Sequence, residues 1–164
     1  MAGPHIWNHA EEIRLSARRD VIVFVTPPLT EDIEVTGPID VILWVSSSAL
    51  DTDFTAKLID AHPPSADYPE GIEMNLEDGI IRARFRNSLE RAELMTPGEI
   101  YQFTIRFYPT SNLFKAGHRI RLDISSSNFP RFDPNPNTGE PLTLALARWL
   151  RATRFITTPR NQVT

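Results

Sequence analysis

Three segments of the chain alternate apolar and polar residues with a strict period of two. In IIRARFRNS, Ile81, Ala83 and Phe85 alternate with Arg82, Arg84 and Arg86. In YQFTIRF, Tyr101, Phe103, Ile105 and Phe107 share one face while Gln102, Thr104 and Arg106 share the other. In RIRLDIS, Ile120, Leu122 and Ile124 are expected inward and Arg119, Arg121 and Asp123 outward. A period of two is the signature of a strand buried on one face, and a helix cannot satisfy it. Four earlier runs, DVIVFVT (20–26), EDIEVTG (31–37), PIDVILWVSSS (38–48) and DFTAKLIDAH (53–62), end in Pro, Gly or Ser/Asp clusters and predict four more strands. The run Val41 to Val45 is apolar on both faces, which predicts a central strand. Seven strands without a long amphipathic helix between them predict an all-β antiparallel sandwich or jelly roll.

Two turns, TPGE (96–99) and AGH (116–118), predict hairpin-like reversals. The C-terminal run LTLALARWLRATRFITT reads two ways. Leu142, Leu146, Trp149 and Leu150 fall on a helical stripe, while Leu142, Leu144 and Leu146 alternate as in a strand.

Composition narrows the function. The chain has 164 residues, 41% of them hydrophobic, enough for one domain with a real core. Its net charge of -4 disfavours a phosphate-neutralising surface, so no nucleic-acid partner is expected. The absence of cysteine excludes disulfides, thiolate nucleophiles and cysteine metal sites, and it suits a reducing cytoplasm. No apolar run approaches the ~20 residues of a membrane span, and MAGPHIWNHAEEIRLSARRD lacks a signal-peptide core, so no membrane partner is expected either.

The segment SSSNFPRFDPNPNTGEP (125–141) has the letters of a site. No two of the seven glycines stand four apart, so the G-x-S-x-G nucleophile elbow is missing. A convergent triad of Ser125, His118 and Asp123 or Asp133 competes with an ordinary polar strand face, which is the stronger reading. Asp133, Asn135 and Asn137 repeat the first ligand spacing of a calcium loop, but Gly139 and Leu144 break the later positions and Pro134 and Pro136 stiffen the turn. An Asx-capped turn explains the same letters. The arginines at 82, 84 and 86 are read as a solvated face paired with acidic neighbours. His5, His9, His62 and His118 show no ligand spacing on a predicted helix, so no metal or other cofactor is expected.

DVIVFVTPPLTEDIEVTGPIDVILWVSSSALDTDFTAKLIDAHP, DGIIRARFRNSLERAELMTPGE and TSNLFKAGHRIRLDISSSNFPRFDPNPNTG, in that order, resemble the C-terminal domain of the cocaine-esterase and X-Pro dipeptidyl-peptidase-like serine hydrolases. The resemblance runs from about Asp20 to Gly139, leaving 1–19 as a lead-in and 140–164 as a divergent tail of a single domain. It implies a jelly-roll sandwich of the galactose-binding-domain-like type, an upstream α/β-hydrolase catalytic domain as partner, in cis or as a separate chain, and no catalytic residue within this stretch. After NTG the family continues into a strand and a His-Pro-Ser-type segment, whereas this chain has ARWLRATRFITTPRNQVT. A tail that fails to complete the sandwich leaves a sheet edge open to another chain, including a second copy.

The expected function is therefore a non-catalytic module that buttresses a hydrolase. The expected contact surface is formed by Ser46, Asp53 and Phe54 from one loop and Ser125, Ser126, Ser127, Asn128, Phe129, Phe132 and Asp133 from another. The alternative is a free-standing carbohydrate- or protein-binding module using Trp7, Tyr68 and Phe132. A third option is an enzyme whose site is shared between subunits.

Overall fold

A computed structural model describes residues 20–140 and the backbone of a short strand at 155–156. Trp7, His5, His9 and the ambiguous run from Leu142 to Leu150 lie outside the described residues. The strands are β1 (Ile22–Val25), β2 (Ile33–Gly37), β3 (Asp40–Ser47), β4 (Asp53–His62), β5 (Ile72–Arg82), β6 (Ile100–Arg106), β7 (Thr110–Phe114), β8 (Arg119–Ser125) and β9 (Phe155–Ile156). One sheet has the order β1-β8-β4-β5 and a second the order β6-β3-β9, while β2 and β7 form a two-stranded ribbon. All these pairings are antiparallel. The described residues therefore form an antiparallel β-sandwich. None of their helices is long and apolar enough to cross a membrane.

Alternation builds the core as expected. Phe54, Ala56 and Leu58 of β4 face Phe103 and Ile105 of β6 and Val41 and Val45 of β3 across the sandwich. The rings of Phe54 and Phe103 lie 4.7 Å apart at 48°, joining the two sheets at the centre. Gly79 on β5 permits the close approach of β6. A Cβ there would stand 2.8 Å from Ile105 Cγ2 and 3.0 Å from the carbonyl oxygen of Arg106.

Several expectations are corrected. The alternation of IIRARFRNS does not continue as a strand: β5 ends at Arg82 and Ala83–Phe85 form a 3-10 turn. The turn is imposed from afar, because Thr52 O accepts the Ala83 amide at 2.8 Å and Asp51 Oδ1 accepts the Arg84 amide at 2.8 Å. Arg121 and Asp123 of β8 are buried instead of solvated; the guanidinium forks the carboxylate with Nε–Oδ1 2.7 Å and Nη2–Oδ2 2.6 Å. The pair lies along the outer face of the sheet, and Glu73 of β5 adds a second carboxylate 2.7 Å from Arg121 Nη1. β3 is central in its sheet, yet its second apolar face is open, with Trp44 61% and Ile42 57% exposed.

Both predicted turns form, with Gly98 and Gly117 at positive φ, but neither closes a hairpin. β7 pairs with β2, and β8 with β1 and β4, so the AGH turn carries the chain from the ribbon into the four-stranded sheet. The tail returns a strand. Phe155 and Ile156 pair with Ser47 and Ser46, covering that end of the β3 edge.

Candidate functional site

The loop ends gathered where β3 ends, β4 begins and β8 ends hold most of the expected contact residues. Asp51 is fully buried and accepts from Arg84 Nε at 2.7 Å and Asn135 Nδ2 at 2.8 Å, both on Oδ2. Asp53, also buried, is forked by Arg82 through Nε and Nη2 at 2.8 Å each and accepts from Asn135 Nδ2 at 2.9 Å. The hydrogen bonds to Asp53 hold the Arg82 guanidinium proton more firmly than usual, against the opposing effect of burial. Arg84 Nη2 reaches the Glu140 carbonyl at 3.1 Å. Arg86 closes the loop before β6, donating to Glu93 Oε1 at 2.7 Å and lying 4.5 Å above the Tyr101 ring. The three arginines are therefore internal staples between loops, not a solvated ladder.

Asp53, Phe54 and Ser46 are turned into this domain's own interior. Phe54 is 1% exposed, and Ser46 is buried where β3 meets β6 and β9. These three residues support the surface from beneath. The second group forms an ordered loop above them. Ser125 Oγ lies 2.6 Å from Thr55 Oγ1 and donates to the Ser127 carbonyl at 3.0 Å, while Ser126 is half-buried and Ser127 exposed. Asn128 Nδ2 donates to Asp78 Oδ2 at 2.8 Å, Arg131 Nη1 pairs with Asp78 Oδ1, and the Phe132 amide donates to the Asn128 carbonyl at 3.1 Å. This clamp leaves Phe129, before a cis Pro130, 66% exposed at the loop tip. Phe132 is half-buried and Asp133 exposed.

Sequence reasoning did not single out Leu50 and Leu94, each 43% exposed. They meet at Gly139, where a Cβ would lie 3.2 Å from Leu50 Cβ and 3.2 Å from Leu94 Cδ1. Phe129, on the loop after β8, is a further open apolar side chain. No local spacing marks them, because Leu50, Leu94 and Gly139 converge from three separate loops.

The chemical alternatives do not assemble. Ser125 and His118 flank opposite ends of β8, about 23 Å apart for an extended chain, and the Asp123 carboxylate is engaged by Arg121. Asn135 donates to two carboxylates, and its own oxygen accepts the Asn137 amide at 2.9 Å, with Asn137 at φ 66°. That is an Asx turn. Tyr68 follows the far end of β4 from Phe132, so these two aromatics do not share one binding patch.

A sandwich whose polar letters are taken up in internal staples, with an apolar loop end, has the character of an accessory domain. The model of the X-Pro dipeptidyl-peptidase C-terminal non-catalytic domain matches residues 4–163, and the chain belongs to that family. It is 47% identical to the cocaine esterase of Rhodococcus sp. (strain MB1 Bresler) over 130 residues, 79% of this chain but 22% of that enzyme. Among solved structures, an α-amino acid ester hydrolase matches with TM-score 0.81 and 34% identity, over 88% of this chain and 24% of that one. An aminopeptidase from a marine sediment Thaumarchaeota archaeon matches with TM-score 0.79 and 32% identity, over 85% of this chain and 24% of that one. The chain thus spans about a fifth to a quarter of the length of these relatives.

Proposed function

We propose that this domain docks through its Leu50–Leu94–Phe129 end onto an α/β-hydrolase catalytic domain in the same polypeptide and buttresses it, the whole enzyme cleaving esters or peptides. One observation carries the reading: an ordered, clamped loop holds Phe129 66% exposed, and Leu50 and Leu94, each 43% exposed, meet at Gly139. Isolated exposed apolar residues are ordinary, but a set of them held rigid by buried ion pairs is what a docking face requires. A rigid face pays little ordering entropy on association. The absence of cysteine accords with a cytoplasmic setting for such an enzyme.

The test is a chimera in which this chain replaces the matching C-terminal segment of the Rhodococcus cocaine esterase. Phe129→Ser and Leu94→Ser are expected to lower the melting temperature and the ester-hydrolysis half-life of the chimera while leaving the melting temperature of the 164-residue chain unchanged. A chimera indifferent to both substitutions overturns the docking face.

A further inference from the structure

Three side chains at the opposite end of the sandwich converge without any role in the docking face. Asp60 and His62 stand two apart on β4 and so share one face. β4 pairs with β8 through Asp60↔Ile120 and Ala61↔Arg119, and the next step of that register sets His118 opposite His62. Asp60 is buried, with one carboxylate oxygen toward the edge of each imidazole: Oδ1 is 2.9 Å from His118 Nδ1, and Oδ2 is 3.4 Å from His62 Nε2. The imidazole rings face one another with centroids 4.1 Å apart. One ligand atom from each of the three residues lies within 4.8 Å of the other two.

His62 Nε2 is sealed from water, yet it makes no hydrogen bond, its approach to Asp60 being poorly aligned. A buried ring nitrogen without a partner is costly unless something else binds it. The backbone around the cluster is fixed. His118 N donates to Lys115 O at 3.0 Å, His118 O accepts Leu29 N at 2.8 Å, and Gly71 packs so closely on the His62 carbonyl that a Cβ would stand 2.6 Å from it. The side chains of His62 and His118 keep 29% and 15% of their surface open, so an ion reaches the sealed Nε2 once the His62 ring turns.

We propose that Asp60, His62 and His118 form a site for one transition-metal dication of the zinc type. Two imidazoles and one carboxylate suit zinc, cobalt(II) or nickel(II), and nitrogen donors disfavour calcium and magnesium. Zn–N and Zn–O bonds of about 2.0–2.2 Å place neighbouring ligands of a tetrahedron about 3.3 Å apart, and the three ligand atoms, within 4.8 Å of one another, reach that spacing by rotation of the imidazoles. Binding replaces the contact between His118 Nδ1 and Asp60, joins β4 to the turn before β8, and leaves the fourth position to water. Sequence spacing could not reveal the site, because one histidine comes from each of two strands' ends.

The full chain, stripped with a chelator, is titrated with Zn²⁺, Co²⁺ and Ni²⁺, with Mg²⁺ and Ca²⁺ as controls. The expected result is one equivalent bound and a saturable rise in melting temperature for the first three ions only. Co²⁺ is expected to give visible absorption without a thiolate band. His62→Gln and His118→Gln are each expected to abolish the shift, while His9→Gln leaves it intact. Should His118→Gln fail to fold, His62→Gln decides. A shift that persists in folded His62→Gln, or no binding to the unaltered chain, overturns the site.

Discussion

Asp51 and Arg84 face each other inside the domain, the carboxylate accepting both the backbone amide of Arg84 at 2.8 Å and its Nε at 2.7 Å. One acidic side chain thus fixes both the path of the chain after β5 and the charge that follows it. Asp51→Ala leaves a buried guanidinium uncompensated and is expected to cost about 3–5 kcal/mol in urea unfolding. Asp40→Ala removes the solvent-exposed partner of Arg106, 3.7 Å away, and is expected to change stability by less than about 1 kcal/mol. Equal effects at the two positions would refute the distinction.

Two of the three phenylalanines named from the sequence for the contact surface, Phe54 and Phe129, are expected to behave oppositely. Phe54→Ala opens a cavity against Phe103 and is expected to lose about 3–5 kcal/mol in the 164-residue chain. Phe129→Ala removes an exposed ring and is expected to leave the unfolding midpoint of that chain unchanged. Denaturant titration of both variants separates the interior residue from the surface one.

At Gly79 the two sheets pack closely, and its replacement is a packing test. Gly79→Ala sets a methyl against Ile105 Cγ2 and a backbone carbonyl, and is expected to destabilise by about 1–3 kcal/mol. A calorimetric melting temperature equal to that of the unaltered chain would mean that β5 and β6 yield to the methyl.

Asp32 supplies a pH dependence. Its carboxylate accepts Lys115 Nζ at 2.9 Å and the Ala116 amide at 2.8 Å, and these bonds, the lysine's first, lower its pKa below the ordinary 3.8. A carboxylate whose pKa is depressed by folding stabilises the fold above its unfolded value and loses that contribution as pH falls through the folded value. Asp32→Asn is therefore expected to be less stable than the unaltered chain at neutral pH, with the gap closing below about pH 4. A gap that stays constant across acid titration would count against the assignment.

The sequence was most legible where side chains answer only to their own strand. β4 runs from Asp53 to His62 as its run of letters predicts, and the inward residues of β6 alternate as read. Legibility failed where a distant residue decides. IIRARFRNS stops being a strand because Asp51 and Thr52, some thirty residues earlier, capture its amides. Most of β5 was missed because its opening residues Glu73, Met74 and Asn75 are all exposed on a sheet edge, so no face alternates there. Arg121 and Asp123 looked solvated because a strand reveals its faces, but not the neighbour that covers them. Of the expected contact residues, the Phe129 loop is at the surface, whereas Phe54 met the rule that large aromatics fill cores first.

β4 is flanked along its length by β5 and, from Thr55 to Ala61, by β8, and it joins the stapled loop end to the histidine end. In an antiparallel ladder the hydrogen bonds lie across the strand direction, so a pull along β4 strains all of them together in shear. Tension applied to β4 at its Asp53 end would thus be shared with both neighbouring strands. Under the proposed docking the domain would act as a stiff spar held at one end, and a metal at the proposed site would tighten the same strand at the other.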